Sequence, residues 1–267
     1  MYMCRLFGLY ANRPVDVLFS FYMAPEESFA DLSRWNPHGW GIAWLDGGQW
    51  RIYKEAGPLY KSNEARSLIR NYVHGRIIVS HVRLATAGEP RRENAHPWLY
   101  RGWVFAHNGS MTRRAILKLL RDEYRDLEGE TDSEVFFHLI IQEVRDLGDP
   151  VEGIKRAIEK IIESGIQFTS LNFIASDGAK LYALRYANTR LSYYTLYYIE
   201  RPREGLELKR LSKETRQLIS MKLARGEKAV IVASEIMSDE PHWRQIPNKH
   251  LMIINEDLSV ELIPIER

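Results

Sequence analysis

The apolar runs of this chain fall into two sets separated by a block of helical periodicity, and that order limits the folds open to it. Runs rich in β-branched and aromatic residues mark strands at about 4–10, 40–45, 50–55, 76–83 and 101–107, then again at about 169–175, 180–187, 192–199, 228–233 and 250–255. Between the sets, helical periodicity covers 112–125, 132–147 and 151–164. In the last of these, Ile154, Ala157, Ile158, Ile161 and Ile162 form one apolar stripe with charges opposite. Strands, then helices, then strands is not the alternation of a parallel βαβ sheet, so the sequence predicts an α+β layered arrangement. Asp46-Gly47-Gly48 and Ser176-Asp177-Gly178 lie between neighbouring runs and predict hairpins, hence antiparallel pairing. Gly148-Asp149-Pro150 breaks two helices but is too short to serve as a linker between domains, so residues 1–267 are read as one domain.

Composition excludes several kinds of partner. The 267 residues, 45% of them hydrophobic, suffice for one substantial core. With 37 basic and 35 acidic residues the formal charge is +2, which leaves no electrostatic footprint for nucleic acid or an anionic membrane. Small polar or zwitterionic molecules are the expected ligands. Tyr193, Tyr194, Tyr197 and Tyr198 have only scattered arginines nearby and are read as packing within a sheet rather than stacking on bases. Charges interrupt every later apolar run before bilayer length, and the first eight residues lack a signal-peptide core, so no membrane segment is expected. A single cysteine, Cys4, excludes an internal disulfide framework and a multi-cysteine zinc site, which favours a reducing, cytoplasmic location. His81, His96 and His107 lack the i, i+4 spacing of a zinc-binding helix, and the reading calls for neither metal nor cofactor.

Cys4 follows Met3, within reach of becoming an N-terminal residue. There it would join a nucleophilic sulfur to an α-amino group whose ordinary pKa of about 7.7–8.0 suits a general base. A buried, inert cysteine is the competing reading. Four segments bear on the choice. Arg83 stands where the strand around Ile77-Ile78-Val79 runs into a loop with Gly88, and its guanidinium can grip a carboxylate; a solvent-facing arginine is the alternative. Asn94-Ala95-His96-Pro97-Trp98 is a polar loop in which His96 can meet a ligand or serve as ordinary loop structure. Asn108-Gly109 ends a strand with a side-chain amide and a following peptide N–H that can converge on one oxygen, although Asn-Gly is also a favoured turn pair. Asp132 opens a helix whose Thr131 and Glu134 have capping-box spacing; its carboxylate can receive an ammonium or merely complement the helix dipole. Together they outline a pocket for an amino acid with a carbonyl at the end of its side chain: glutamine or a γ-glutamyl compound.

The ordered set resembles the class II glutamine amidotransferases, members of the N-terminal-nucleophile hydrolases. The residues that carry it are Cys4-Arg5-Leu6-Phe7-Gly8, His81-Val82-Arg83 with Thr86 and Gly88, Asn94-Ala95-His96-Pro97, His107-Asn108-Gly109 and Thr131-Asp132-Ser133-Glu134. Asn12-Arg13-Pro14, His38-Gly39-Trp40-Gly41-Ile42, Val232-Ala233-Ser234-Glu235 and Trp243-Arg244 extend the likeness to the short, stand-alone members. The resemblance implies a four-layer αββα sandwich with mostly antiparallel sheets. It also implies Cys4 as nucleophile with its own α-amino group as base, Asn108 and Gly109 as oxyanion hole, Arg83 and Asp132 as clamps for the α-carboxylate and α-amino groups, and Thr86 and His96 as pocket lining. The implied reaction cleaves the γ-amide of glutamine through a thioester and releases glutamate and ammonia. The chain has too little sequence left over for a synthetase domain, so it is expected to act alone or with a separate synthetase subunit that accepts the ammonia. A γ-glutamyl amide or peptide hydrolase with the same site, and a non-catalytic binding or regulatory protein, are the other readings.

Two features depart from the pattern. Met1 and Tyr2 precede Met3, so freeing Cys4 requires either translation from Met3 or cleavage of a leader. His38 stands where the relatives' pattern often has an acidic residue before Gly-Trp-Gly.

Overall fold

A computed structural model describes residues 4–85, 88–202 and 208–265. The chain opens with β1 (Arg5–Val15), two short helices, α1 (Leu18–Tyr22) and α2 (Phe29–Leu32), and the hairpin β2 (Trp40–Asp46) and β3 (Gln49–Glu55). Helix α3 (Asn63–Asn71), β4 (Gly75–Val82), β5 (Trp98–Tyr100) and β6 (Trp103–Asn108) follow. The helical block comprises α4 (Arg113–Ile116), α5 (Asp132–Leu147) and α6 (Pro150–Glu163). The remainder is β7 (Asn172–Ser176), β8 (Leu181–Arg185), β9 (Tyr197–Arg201), α7 (Lys213–Ala224), β10 (Ala229–Ala233), β11 (Arg244–Gln245), β12 (His250–Ile254) and β13 (Val260–Pro264).

Two antiparallel sheets result: seven strands in the order β11-β9-β10-β1-β4-β2-β3, and six in the order β13-β12-β8-β7-β6-β5. Strand periodicity distributes their side chains. Leu6 and Tyr10 of β1 face Val104 and Ala106 of β6 and Ile174 of β7 in an inner layer between the sheets. Phe7 and Leu9 point the other way, into the layer shared with Phe21, Phe29 and Ile69 of α1, α2 and α3. On the far side Phe105 and Phe173 pack under Phe136, Ile140, Ile154 and Ile158 of α5 and α6. Helix, sheet, sheet, helix is the expected four-layer α+β sandwich. At Gly8 the sheets come close, since a Cβ there would stand 2.9 Å from Ile174 Cγ2. Among the described residues no helix is long and apolar enough to cross a membrane.

Several boundaries differ from the sequence reading. Helices are not confined to the middle, because α3 and α7 lie among the strands. The stripe at 112–125 is not one helix: α4 gives way to short 3₁₀ turns at 117–119 and 122–124. Ile116, Leu120 and Tyr124 still face the core, and side chains of α5 take three of the backbone groups in and between the turns. Gln142 accepts the Arg121 N–H at 2.9 Å and donates to Leu119 O at 3.2 Å, and His138 Nδ1 bonds Tyr124 O at 2.8 Å. The run at 101–107 begins as a turn, with φ of 47° at Arg101 and 86° at Gly102, so β5 and β6 form a tight hairpin there. The run at 192–199 becomes strand only from Tyr197. Before it, Arg185 holds the loop by donating to Tyr194 O, Leu191 O and Ile246 O, so Tyr193 and Tyr194 lie outside the sheet while Tyr197 and Tyr198 lie within it.

Candidate active site

The register of the central strands brings the first segment of the site together. β1 and β4 are antiparallel with Arg5 opposite Val82, so Cys4 and Arg83 leave neighbouring strands side by side. Cys4 Sγ accepts the Leu84 N–H at 3.2 Å and lies 3.4 Å from Leu84 O, which its S–H can reach. Burial pushes the thiol pKa up, while the Leu84 peptide and then the positive charges of Arg83 and Arg5 pull it down. Arg83 is buried, and its Nη1 and Nη2 donate to Glu89 O and Gly88 O at 3.0 and 3.1 Å, which fastens the loop beyond it. Burial lowers the arginine pKa, opposed by the negative charges of Cys4 thiolate and Asp132. Thr86 lies outside the described residues.

The facing sheet supplies the second segment. β6 ends at Asn108, whose Nδ2 donates to the carbonyl of Cys4 at 2.9 Å. The amide therefore grips the cysteine's own backbone, and its NH₂ group carries one further N–H. Gly109 admits no side chain, because a Cβ would overlap the Ser170 carbonyl. Asp132, first residue of α5, is buried; its Oδ2 accepts the Met111 N–H at 2.6 Å and its Oδ1 the Ser133 N–H at 3.0 Å. It thereby pins the helix start to the segment after Gly109, and the remaining lone pairs of its oxygens can take an ammonium. The capping box is half formed: Thr131 Oγ1 accepts the Glu134 N–H at 3.3 Å, but the Glu134 carboxylate reaches past the cap to the N–H groups of Glu128 and Gly129.

Three buried histidines pack beside these groups, two of them, His96 and His107, lining the same cavity as Cys4 and Asp132. The rings of His81 and His96 lie 4.0 Å apart between centroids, and His96 Nδ1 accepts the His107 N–H at 3.3 Å. His107 Nδ1 bonds Ser133 Oγ at 2.9 Å and its Nε2 Ser170 O at 3.2 Å. Burial drives all three pKa values down, His81 and His96 well below the ordinary range, so all three are neutral near pH 7. Cys4, Arg83, His96, Gly109 and Asp132 line one small cavity. Asn108 touches Cys4 from behind it. A sulfur, a guanidinium and a carboxylate in one small cavity can hold a zwitterion against a nucleophile.

Other contributors are not singled out for these tasks by sequence reasoning. His38 Nδ1 accepts the Ala85 N–H at 3.0 Å, and the peptides of His38 and Gly39 bracket Arg83 through bonds of 3.0 and 2.7 Å. Ser234 Oγ accepts the Leu6 N–H at 2.9 Å, and Glu235 pairs with Arg5 at 2.8 Å, so the segment after β10 anchors the start of β1. The likeness of His38-Gly39 and Ser234-Glu235 to relatives is a signal of importance, but not of these contacts. Among the described residues no cluster of three or more His, Cys, Asp or Glu could hold a metal ion.

Residues 3–264 match the family described as glutamine amidotransferases class-II. The chain is 28% identical over 256 residues to a Haemophilus influenzae protein provisionally named a glutamine amidotransferase, covering 92% of this chain and 82% of that one. It is 32% identical over 204 residues to the similarly named YafJ of Escherichia coli, covering 72% and 76%. Among solved structures, a glutamine aminotransferase class-II domain protein from Silicibacter pomeroyi shares the fold with a TM-score of 0.66 at 22% identity, covering 98% and 99%. The glutamine phosphoribosylpyrophosphate amidotransferase of B. subtilis shares it with a TM-score of 0.64 at 18% identity, covering 98% of this chain and 49% of that one.

Proposed function

The chain belongs to the class II glutamine amidotransferases, and on that premise we propose that it hydrolyses the γ-amide of glutamine through a thioester on Cys4, releasing glutamate and ammonia. The observation that carries this reading is the single cavity shared by Cys4, Arg83 and Asp132. Arg83 takes the α-carboxylate and Asp132 the α-ammonium, which leaves the γ-carbonyl for Sγ. His96 lines the pocket, and Thr86 is assigned there by family likeness alone.

With Cys4 as the mature N-terminus, its α-amino group accepts the thiol proton as Sγ bonds to the γ-carbon. The carbonyl oxygen becomes an oxyanion held by the second Asn108 N–H and the Gly109 peptide. The proton then passes to the leaving nitrogen, the C–N bond breaks and ammonia departs. Water adds to the thioester, the C–S bond breaks, and glutamate leaves with the thiol restored. The chain acts as one amidotransferase domain, alone or with a separate synthetase subunit that accepts the ammonia.

The test is intact mass before and after 6-diazo-5-oxo-norleucine, with glutamate release from glutamine and from γ-glutamyl peptides measured alongside. A chain beginning at Cys4 that gains one adduct, loses it on Arg83→Ala and turns over glutamine supports the reading. Turnover confined to γ-glutamyl peptides would transfer the site to a peptide hydrolase, and neither adduct nor turnover would leave a binding protein.

A further inference from the structure

Asn94 lies behind the cavity yet touches both loops that carry its charged groups. Its side chain is buried; Nδ2 donates to Glu89 O at 3.0 Å, the same carbonyl that accepts from Arg83 Nη1. On the other side Oδ1 accepts the Glu130 N–H at 2.8 Å, two residues before Asp132. The surrounding backbone is shaped around this amide. A Cβ on Gly88 would stand 2.9 Å from Asn94 Nδ2, and one on Gly129 would stand 2.6 Å from Asn94 Oδ1. Gly88 also has φ of 73°, where a side chain is strained. Glu134 holds the second loop from the helix side through Glu128 N–H and Gly129 N–H, at 2.6 and 2.8 Å. An asparagine amide presents its donor and acceptor in one rigid plane, so the separation of the two loops is set by a group that cannot stretch.

We propose that Asn94 is a positioning residue that fixes the spacing between Arg83 and Asp132, and with it the preference of the pocket for a ligand bearing a carboxylate and an ammonium on one carbon. This rests on the glutamine reading above. Asn94 reaches neither the sulfur nor the cavity lining, so its influence falls on substrate selection more than on the chemical step.

Three amides separate the contributions: glutamine, 4-carbamoylbutanoate, which lacks the α-ammonium, and 4-aminobutanamide, which lacks the α-carboxylate. In the unaltered protein both truncated amides are expected to be poor substrates. Asn94→Ala removes both bonds and is expected to raise KM for glutamine about ten-fold, with kcat changed far less, and to shrink the advantage of glutamine over both analogues. Asn94→Asp keeps the acceptor for Glu130 N–H but sets a carboxylate against Glu89 O and beside Arg83. It is expected to shrink the advantage over 4-aminobutanamide while keeping that over 4-carbamoylbutanoate. A merely structural Asn94 would lower all three rates together and leave the ratios unchanged, which would overturn the proposal alone. An unaltered protein that is inert toward all three amides, or does not distinguish them, would overturn the glutamine reading and this proposal with it.

Discussion

Helix α5 covers the outer face of the six-stranded sheet and buries thirteen of its sixteen residues, whereas α7, outside the other sheet, buries only Thr215 and Ile219 of twelve. Their polar residues show why the difference matters. Along α5 the buried Asp132, Ser133, Glu134, His138 and Gln142 all have hydrogen-bond partners, most of them backbone groups of other segments. Burying so many polar atoms is tolerable only when each is satisfied, and the result is a helix whose start is held rigidly against Cys4's neighbourhood. α7 instead leaves Met221 and Leu223 half exposed, while its Leu218 lines a pocket with Leu9, Phe19 and Ile231. One helix layer is built to hold positions; the other covers a sheet.

Substitutions can break that contrast, beginning with the amide that bonds the Cys4 carbonyl. Asn108→Ala is expected to cut glutamine turnover on the order of 100- to 1000-fold at a stability cost of about 1 kcal/mol, read by steady-state kinetics beside a melting curve. Near-native turnover would remove Asn108 from the oxyanion hole.

Acid should act on the same side of the molecule. His81, His96 and His107 are held neutral with pKa values below the unfolded value of 6.5. As pH falls below about 6.5 the unfolded chain takes up protons that the folded chain refuses, so each histidine subtracts up to about 1.4 kcal/mol per pH unit until its folded pKa is reached. Urea midpoints between pH 7.5 and 5.5 should fall steadily; a flat profile would mean that the cluster opens to solvent.

Helix crossing gives the next effect. A Cβ on Gly153 of α6 would stand 2.5 Å from Val144 Cα of α5, so Gly153→Ala should cost about 1–3 kcal/mol, measured as a lower urea midpoint with an unchanged slope. At α7, Met221→Gln and Leu223→Gln should each shift stability by less than about 0.5 kcal/mol. A loss as large as that of Gly153→Ala would place α7 among the well-packed elements and cancel the comparison.

The same contrast governs what can be read from the residues. α5 is legible to its ends and α6 to one residue, because a full apolar stripe is punctuated by Thr131, Gly148 and Asp149-Pro150. α7 carries Leu218, Ile219, Met221 and Leu223 bunched without a clean stripe, and its weak pattern reflects its weak burial. At 112–125 the apolar stripe is legible but the backbone is not, since the bonds from Gln142 and His138 belong to a helix that comes later in the chain. In the site, Cys4, Arg83 and Asp132 stand out because each marks the start or end of an element. The contacts of Ser234 with Leu6 and of His38 with Ala85 depend on which segments end up as neighbours, and local pattern is silent about that.

The place of β1 carries a consequence for how the protein is made. It is the first strand, yet it lies in the interior of its sheet between β4 and β10, with Phe7 paired to Ala233 and Leu6 N–H bonded to Ser234 Oγ. A ribosome adding about 5–20 residues per second takes roughly 10–50 s to travel from Cys4 to Ser234. Throughout that interval β1 lacks one of its two neighbours in the sheet, and the chemistry proposed for Cys4 must wait for the segment that closes it. Sequence order thus works as a delay: the first functional group synthesised is among the last to be put in place.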